Sequence, residues 1–551
     1  MLKKILNSQT KSITLASFIL GVAYLGSAVL GLLRDRLLAS RFGAGDELDI
    51  YYAAFRIPDF VAMLLIMGAV SAVIIPVFSQ YLNRSKEEAW EFLSALFNLF
   101  LIALISVSAV LVIFAPYLIF LIAPGFSPEK KEMTVMLTRI MFLSPIILGV
   151  SNIISGILQV FHRFLVTALA PLMYNLGIIF GILFFFPAMG LPGLAWGVVL
   201  GGFLHLCVQL PALFVSGFQY KNVHFLAHPG IPRVIKLMIP RSVGLGAGQI
   251  NLIIITAIAS TLISGSVAVF NLANNLSYLL IGLVAISFST AVFPSLSLAF
   301  SKNAKEEFIH NFSLVFRQIL FLILPLSALL FILRAQVVRL VLGAGEFGWI
   351  DTRLTAACLG IFSFGLFAQG LILLISKTFY AAQDTKTPAF ISCITVIINA
   401  FLALLFVWFL RFQNIFSISV ENILKLRDID ISIIGLALAF SLAGVFQFIL
   451  LLFFLQRKFP DLKFKEILAS LEKVFIATIL MAISAYVVLY SYDSIFSNTL
   501  LNTHTVIGLL IQAFSSCFIS FLVFLATTLL LKSPELIMIL SSLQNKFGKR
   551  T

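Results

Sequence analysis

Nine ionisable residues crowd the stretch GLLRDRLLASRFGAGDELDIYYAAFRIPDF, residues 31–60: Arg34, Asp35, Arg36, Arg41, Asp46, Glu47, Asp49, Arg56 and Asp59. The flanking sequence is apolar, so several of them fall at membrane depth. An ionisable group inside a spanning helix costs about 2.5–3.5 kcal/mol on insertion scales, so it faces a partner or a water-filled cavity. A guanidinium fork matches two phosphate oxygens at once, which makes anion binding the chemistry open to Arg34 and Arg56. The competing reading is that Arg34, Asp35 and Arg36 close the first span at the outer interface and snorkel to water. Asp35 projects about 100° away from Arg34 around a helix, so it pairs with a base on a neighbouring helix or orients Arg34. Asp49 reads as an N-cap of the second span, with a coupling or gating role as the alternative.

A second set lies in SKTFYAAQDTKTPAF, where Lys377, Asp384 and Lys386 precede Pro388, a residue tolerated in the first turn of a helix. Asp384 and Lys386 are candidates for coupling or gating, and capping of the following helix is the plainer role for Asp384. Arg241, after Pro240 at the entrance to the seventh span, is a further candidate for substrate binding. Catalytic and metal constellations are not expected. The six histidines are dispersed, no nucleophile stands beside a base, and no GxxxxGK[ST] phosphate loop occurs. Cys207, Cys358, Cys393 and Cys517 sit singly in apolar runs. No cofactor is implied.

The elements that must position these residues follow from composition. Of 551 residues, 61% are hydrophobic and 11% charged, with a mean hydropathy of +1.09. That excludes a soluble globular domain and makes the chain a polytopic membrane protein. Long continuous apolar runs, not short alternating ones, give an all-α fold. Fourteen transmembrane helices are expected, over 13–39, 50–81, 94–123, 133–161, 164–187, 192–218, 237–263, 266–299, 309–334, 354–381, 388–410, 431–456, 467–491 and 505–531. The net charge of +14 is scattered through short loops and forms no basic face, so nucleic acid is not an expected partner. Counted by loop, roughly 20 Lys and Arg fall on one side against about 11 on the other, which places both termini in the cytoplasm. The basic N-terminus without a small-residue cleavage site reads as part of a retained first helix.

GAVSAVIIPVFSQYL, residues 68–82, resembles ISFSTAVFPSLSLAF, residues 286–300, and weaker matches on both sides keep the same register. An internal repeat of two six-helix lobes is expected, spans 1–6 in residues 1–220 and spans 7–12 in residues 221–460. Spans 13 and 14 with a tail occupy residues 461–551. In repeat-built transporters the substrate path runs near the midplane.

Several of these segments carry a family resemblance. SAVLGLLRDRLLASRFGAGDELDIYYAAFRIPDF followed by GAVSAVIIPVFSQYL, GILQVFHRFLVTALAPLMYNLG, AISFSTAVFPSLS and FYAAQDTKTP together resemble the MurJ (MviN) lipid II flippases of the multidrug/oligosaccharidyl-lipid/polysaccharide exporter superfamily. The resemblance implies alternating access, with a central cavity taking the diphosphate-linked headgroup of lipid II while the undecaprenyl tail stays in lipid. It implies a non-enzymatic, multi-pass, monomeric protein of the bacterial cytoplasmic membrane, acting in peptidoglycan biosynthesis and in contact with membrane lipids. By position it assigns Ser27, Arg34, Asp35 and Arg56 to the substrate and Asp49 to the same region. The chain departs from the family at Ala28, Ala62, Met63, Met67 and Asn275, where members carry basic or acidic cavity residues, and at Ile255, an acidic position of a sodium site in some members. The alternatives are a flippase for another polyprenyl-diphosphate-linked glycan or a drug exporter of the superfamily. From other classes, an intramembrane lipid-modifying enzyme or a scaffold for cell-wall enzymes would fit.

Overall fold

A computed structural model describes residues 13–67, 75–223, 228–424, 429–462, 464–496, 503 and 505–538, and all regular structure among them is helical. The chain forms two compact units, Met1–Ala268 and Val269–Thr551. The first contains α1 (Ile13–Phe42), α2 (Asp46–Ala62), α3 (Ile75–Leu82), α4 (Lys86–Ile122), α5 (Pro128–Met141), α6 (Leu143–Val160), α7 (Phe164–Phe180), α8 (Phe186–Met189), α9 (Leu191–Cys207), α10 (Leu210–Val215) and α11 (Gly230–Ala259). Helix α12 (Ser266–Ile281) crosses the boundary. The second unit continues with α13 (Ser287–Ser301), α14 (Lys305–Ile332), α15 (Arg334–Val341), α16 (Trp349–Ala381), α17 (Lys386–Arg411), α18 (Ile415–Leu424), α19 (Ser432–Lys458), α20 (Phe464–Phe496) and α21 (Val506–Leu530).

Eleven described helical runs are long and apolar enough to cross a membrane. Helix α1, the pair α2 and α3, and α11 lie along the other three of the fourteen expected spans. Ends move where local chemistry extends or breaks an apolar run. The span expected from 94 begins at Lys86, because the Ser85 hydroxyl accepts the Glu88 N–H at 3.0 Å and adds a polar first turn. The span expected over 133–161 is two helices that break at Phe142, three residues before Pro145. Large side chains such as Ile113, Tyr117 and Phe120 of α4 are 69%, 75% and 65% exposed, which only a hydrocarbon surround makes favourable.

Several element boundaries recur at a constant offset, one residue longer than the 218 that separates the two similar segments. Helix α2 runs into a π turn, Met63–Met67, as α12 runs into Gly282–Ile286. Helix α4 opens at Lys86 with the sequence KEE and ends at Ile122; α14 opens at Lys305 with KEE, and α15 ends at Val341. In each pairing of π turn, helix start and helix end, the second member follows the first by 219 residues.

Within the first unit, Phe78, Trp90 and Phe161 interlock, with ring centroids 5.7–6.1 Å apart, inside a buried cluster that includes Phe92, Leu96 and Ile157. Helices α7 and α9 meet backbone to backbone. Gly177 and Gly181 continue α7, Gly197 and Gly201 lie on α9, and both pairs have the small-xxx-small spacing that lets apolar helices approach closely in lipid. A Cβ on Gly177 would stand 2.3 Å from the Gly201 Cα, and one on Gly181 would stand 2.4 Å from the Gly197 Cα. In the second unit α16 packs on α14 and α19, and the α20–α21 pair packs on α14 around Phe321, Val474, Met481 and Phe524. The segment after α21 is fastened by buried Glu535, which accepts from Ser470 and Ser533 at 2.7 Å each and lies 3.7 Å from Arg317.

Overpacking a tight backbone contact costs about 1–3 kcal/mol. Gly181→Val is therefore expected to lower the melting temperature of the purified protein by several degrees. Gly31→Ala, with nothing within 4 Å of the added methyl, is expected to leave it unchanged. Equal melting curves for both variants would contradict the close approach.

Candidate functional site

Helix α1 places Ser27 and Arg34 two turns apart on one face, opposite the stretch of α7 that carries Asn175. The Arg34 guanidinium does not snorkel along the helix. It folds onto Asp35, with Nε and Nη2 donating to the same carboxylate oxygen at 3.0 and 2.8 Å. Its Nη1 donates to Asn175 Oδ1 at 3.2 Å. Asn175 is itself held, its Nδ2 group lying 3.2 Å from Ser27 Oγ and 3.2 Å from the Pro171 carbonyl. Of the two roles open to Asp35, the geometry displays the orienting one. A guanidinium has five N–H groups; three are engaged here, so one on each terminal nitrogen remains for a ligand. The Arg34 side chain is 23% exposed and that of Asp35 is 6% exposed, so the fork is reachable while its anchor is not.

Arg56 lies deeper, 6% exposed, and its Nε donates to Thr256 Oγ1 of α11 at 2.7 Å. The Thr256 hydroxyl donates in turn to the Leu252 carbonyl at 2.8 Å, so Arg56 ties α2 to α11. Asp59, one turn further along α2, is exposed and lies in the electrostatic field of both Arg56 and Arg34. At the π turn that follows, Ser242 of α11 donates to the Leu64 carbonyl at 2.6 Å, so this turn packs against α11.

Asp49 does not cap its own helix. Gly45 is the N-cap of α2, without a side-chain bond, and Asp49 stands inside the first turn. Its carboxylate instead caps a different helix, accepting the N–H of Gly265 at 2.8 Å and of Ala268 at 2.9 Å at the start of α12. Lys130 of α5 lies 2.7 Å from Asp46 and 3.5 Å from Asp49, and Ser264 donates to Asp46. Gly265 has a φ of +85°, and a Cβ there would meet the Ala44 carbonyl oxygen at 1.7 Å, so only glycine lets the chain enter α12 beside this loop. The stretch from Arg41 to Asp49, expected to be a loop, is mostly helix: α1 runs to Phe42, and Arg41 stacks 5.3 Å over the Phe186 ring.

In the second unit, Asp384 caps α17, its carboxylate accepting the Thr387 N–H at 3.0 Å and the Thr387 hydroxyl at 2.9 Å, and it pairs with Lys458 at 2.9 Å. Burial pushes this loop carboxyl up, but the Thr387 and Lys458 donors outweigh it and hold it below the usual carboxylate range. Lys386 is exposed at the first position of α17. Lys377 of α16 donates to Thr290 Oγ1 at 2.6 Å. The side chain of Arg241 lies outside the described residues.

The structure thus gathers Ser27, Arg34 and Asp35 in one network, sets Arg56 in a second, and places Asp49, Asp384 and Lys386 elsewhere. Sequence reasoning missed Asn175 and Thr256. Asn175 had a signal, since a lone amide in the apolar run LMYNLG needs a partner; Thr256 had none, because a threonine can satisfy itself on its own helix.

A family model described as "Lipid II flippase MurJ" matches residues 38–507. The chain is 31% identical over 382 residues to the lipid II flippase MurJ of Burkholderia cenocepacia, covering 68% of this chain and 74% of that protein. It is 30% identical over 476 residues to the probable lipid II flippase MurJ of Buchnera aphidicola subsp. Acyrthosiphon pisum, covering 84% and 88%. Among solved structures it resembles a lipid II flippase MurJ in an inward closed conformation, with a TM-score of 0.73, 26% identity and coverage of 93% and 98%. An inward-facing multidrug resistance transporter of the MATE family shares the fold, with a TM-score of 0.65 at 15% identity over 80% of this chain and 99% of that one.

Asp49→Ala removes both acceptors from the start of α12. Hydrogen exchange of the Gly265 and Ala268 amides is expected to accelerate by about tenfold or more, the scale of losing a charge-assisted bond. Unchanged protection at these two amides would show that the carboxylate does not hold them.

Proposed function

The chain belongs to the MurJ family of lipid II flippases, and from that premise we propose that it carries lipid II from the cytoplasmic to the outer leaflet of the inner membrane by alternating access, supplying peptidoglycan synthesis. It is a multi-pass membrane protein. In this reading it works as a transporter and not a catalyst, as a monomer with fourteen spans and both termini cytoplasmic, without a cofactor and without nucleic acid.

The observation that carries the proposal is the Arg34 network. Binding a diphosphate at membrane depth requires a cation that is held in place before the ligand arrives, because reordering a long side chain on binding costs affinity. Asp35 and Asn175 engage three of the five Arg34 donors, and the side chain stays 23% exposed, which leaves two donors for a phosphate. Asp35 also offsets the Arg34 charge while the site is empty, which makes an unoccupied arginine tolerable at that depth. Arg56 is the second cation, held by Thr256. With Asp49 gripping the start of α12, the loop-side ends of α2, α5 and α12 are fastened together, and releasing the headgroup on that side requires the Asp49 carboxylate to let go.

A drug exporter remains a second reading only through the multidrug transporter likeness, which is one of fold. A lipid-headgroup competition assay on purified protein separates the two: lipid II displacing a labelled lipid II analogue, and cationic drugs failing to, fits the first.

Arg34→Ala is expected to abolish complementation of a strain depleted of its own lipid II flippase, at normal membrane abundance, and Arg34→Lys to restore a fraction, since a lysine keeps the charge but loses the fork. Full complementation by Arg34→Ala would remove Arg34 from the substrate.

A further inference from the structure

Helix α5 turns Thr134, Leu137, Thr138 and Met141 into the protein, where all four are buried. Its opposite stripe, with Glu132, Val135, Met136 and Arg139 at i, i+3, i+4 and i+7, lines an open groove of about 600 Å³ against Pro116 of α4. None of these residues takes part in the Arg34, Arg56 or Asp49 networks. The groove lies beside α4 side chains that face hydrocarbon, Ile113 and Tyr117 among them.

Pro116 explains why a charge stands here. Proline has no N–H, so the Val112 carbonyl one turn earlier loses its helical donor on a lipid-facing helix. Arg139 supplies it, Nε donating to Val112 O at 3.3 Å. That bond uses Nε, pins the group at the groove wall and leaves both terminal nitrogens of this exposed side chain outside it. Lys131, nearer the loop, is already engaged: its ammonium donates to the Pro124 carbonyl at 2.8 Å and lies 5.0 Å from the Phe120 ring centre. Glu132 is exposed on the same stripe as Arg139 and two turns closer to the loop end of α5.

We propose that this groove is a binding site for a glycerophospholipid with a primary-amine headgroup. Going from hydrocarbon toward water, such a lipid presents acyl chain, phosphate and then ammonium. The groove presents apolar Ile140, then the Arg139 fork at the Val112 carbonyl, and then, past Pro116 on the loop side, the Glu132 carboxylate. Arg139 and Glu132 are seven residues apart, about 10 Å along the axis, a gap that two side chains of this length narrow to headgroup scale. Arginine takes phosphate oxygens in pairs, and Glu132 both attracts the ammonium and disfavours a headgroup carrying only negative charge. The site rests on α4 and α5 being in the membrane and is independent of which substrate is transported; in the orientation proposed above it faces the outer leaflet.

The test uses the full-length protein, purified in detergent and stripped of lipid, with retained lipid counted by native mass spectrometry. Phosphatidylethanolamine is expected to be retained as one copy with about tenfold preference over phosphatidylglycerol, a difference of about 1.4 kcal/mol. Glu132→Gln leaves the Arg139–Val112 bond intact and is expected to erase that preference; Arg139→Gln is expected to lose both lipids. Because Arg139→Gln also strips the Val112 carbonyl, Glu132→Gln is the deciding variant if Arg139→Gln does not fold. An unchanged lipid ratio in Glu132→Gln, or unchanged retention in a folded Arg139→Gln, would overturn the proposal. So would displacement of phosphatidylethanolamine from this groove by undecaprenyl phosphate, which would give the groove to a polyprenyl lipid.

Discussion

A guanidinium eight residues short of the end of an apolar helix is the constraint around which the first unit is arranged. Arg34 needs a counter-charge, a second acceptor and access for a ligand, and one carboxylate can supply only the first. Asp35 gives the charge from the same helix. The second acceptor comes from α7, and Asn175 has its carbonyl turned correctly only because its amide group is taken up by Ser27 and Pro171. The amide is thus an adaptor between a hydroxyl and a cation. Its position depends on how closely α7 is held against α9, where the four facing glycines set the separation. A steric rule of helix packing in lipid therefore reaches the geometry of the charged site.

The same logic of borrowed partners runs through the rest of the unit. Proline removes donors from α4, and a side chain of α5 replaces the one lost at Pro116. Asp49 satisfies orphan N–H groups at the start of a helix more than 200 residues away, as the N-terminal dipole of α12 favours. Because each of these bonds joins separate helices, each is also a point at which a conformational change has to break something definite. Among the described residues, identifiable bonds from Asp46, Asp49 and Lys130 join the loop-side ends of α2 and α5 and the start of α12.

Much of the fold was legible in the sequence, because apolar length reports a spanning helix almost directly. The all-helical class and the positions of most helices follow from hydropathy. Helix ends were less legible. Lys86 to Glu88 are polar and belong to α4 only because Ser85 caps them, while the break at Phe142 inside one apolar run leaves no trace in hydropathy. The site was partly legible: Arg34, Asp35 and Arg56 stand out by cost alone. Their partners do not, since Asn175 and Thr256 are ordinary residues made important by helix packing. Asp49 shows the limit of a local rule. An aspartate at a helix start is normally its own cap, and here a tertiary contact with α12 wins.

Substrate binding, as proposed, rests on Arg34 and the partners that hold it. The direct measurement is the affinity of purified protein for lipid II in detergent, wild type against Arg34→Gln, with melting temperatures recorded alongside. Binding is expected to weaken by about tenfold or more, the scale of one bidentate charge-assisted contact, in protein that still melts cooperatively. Equal affinity in a folded Arg34→Gln protein would contradict it.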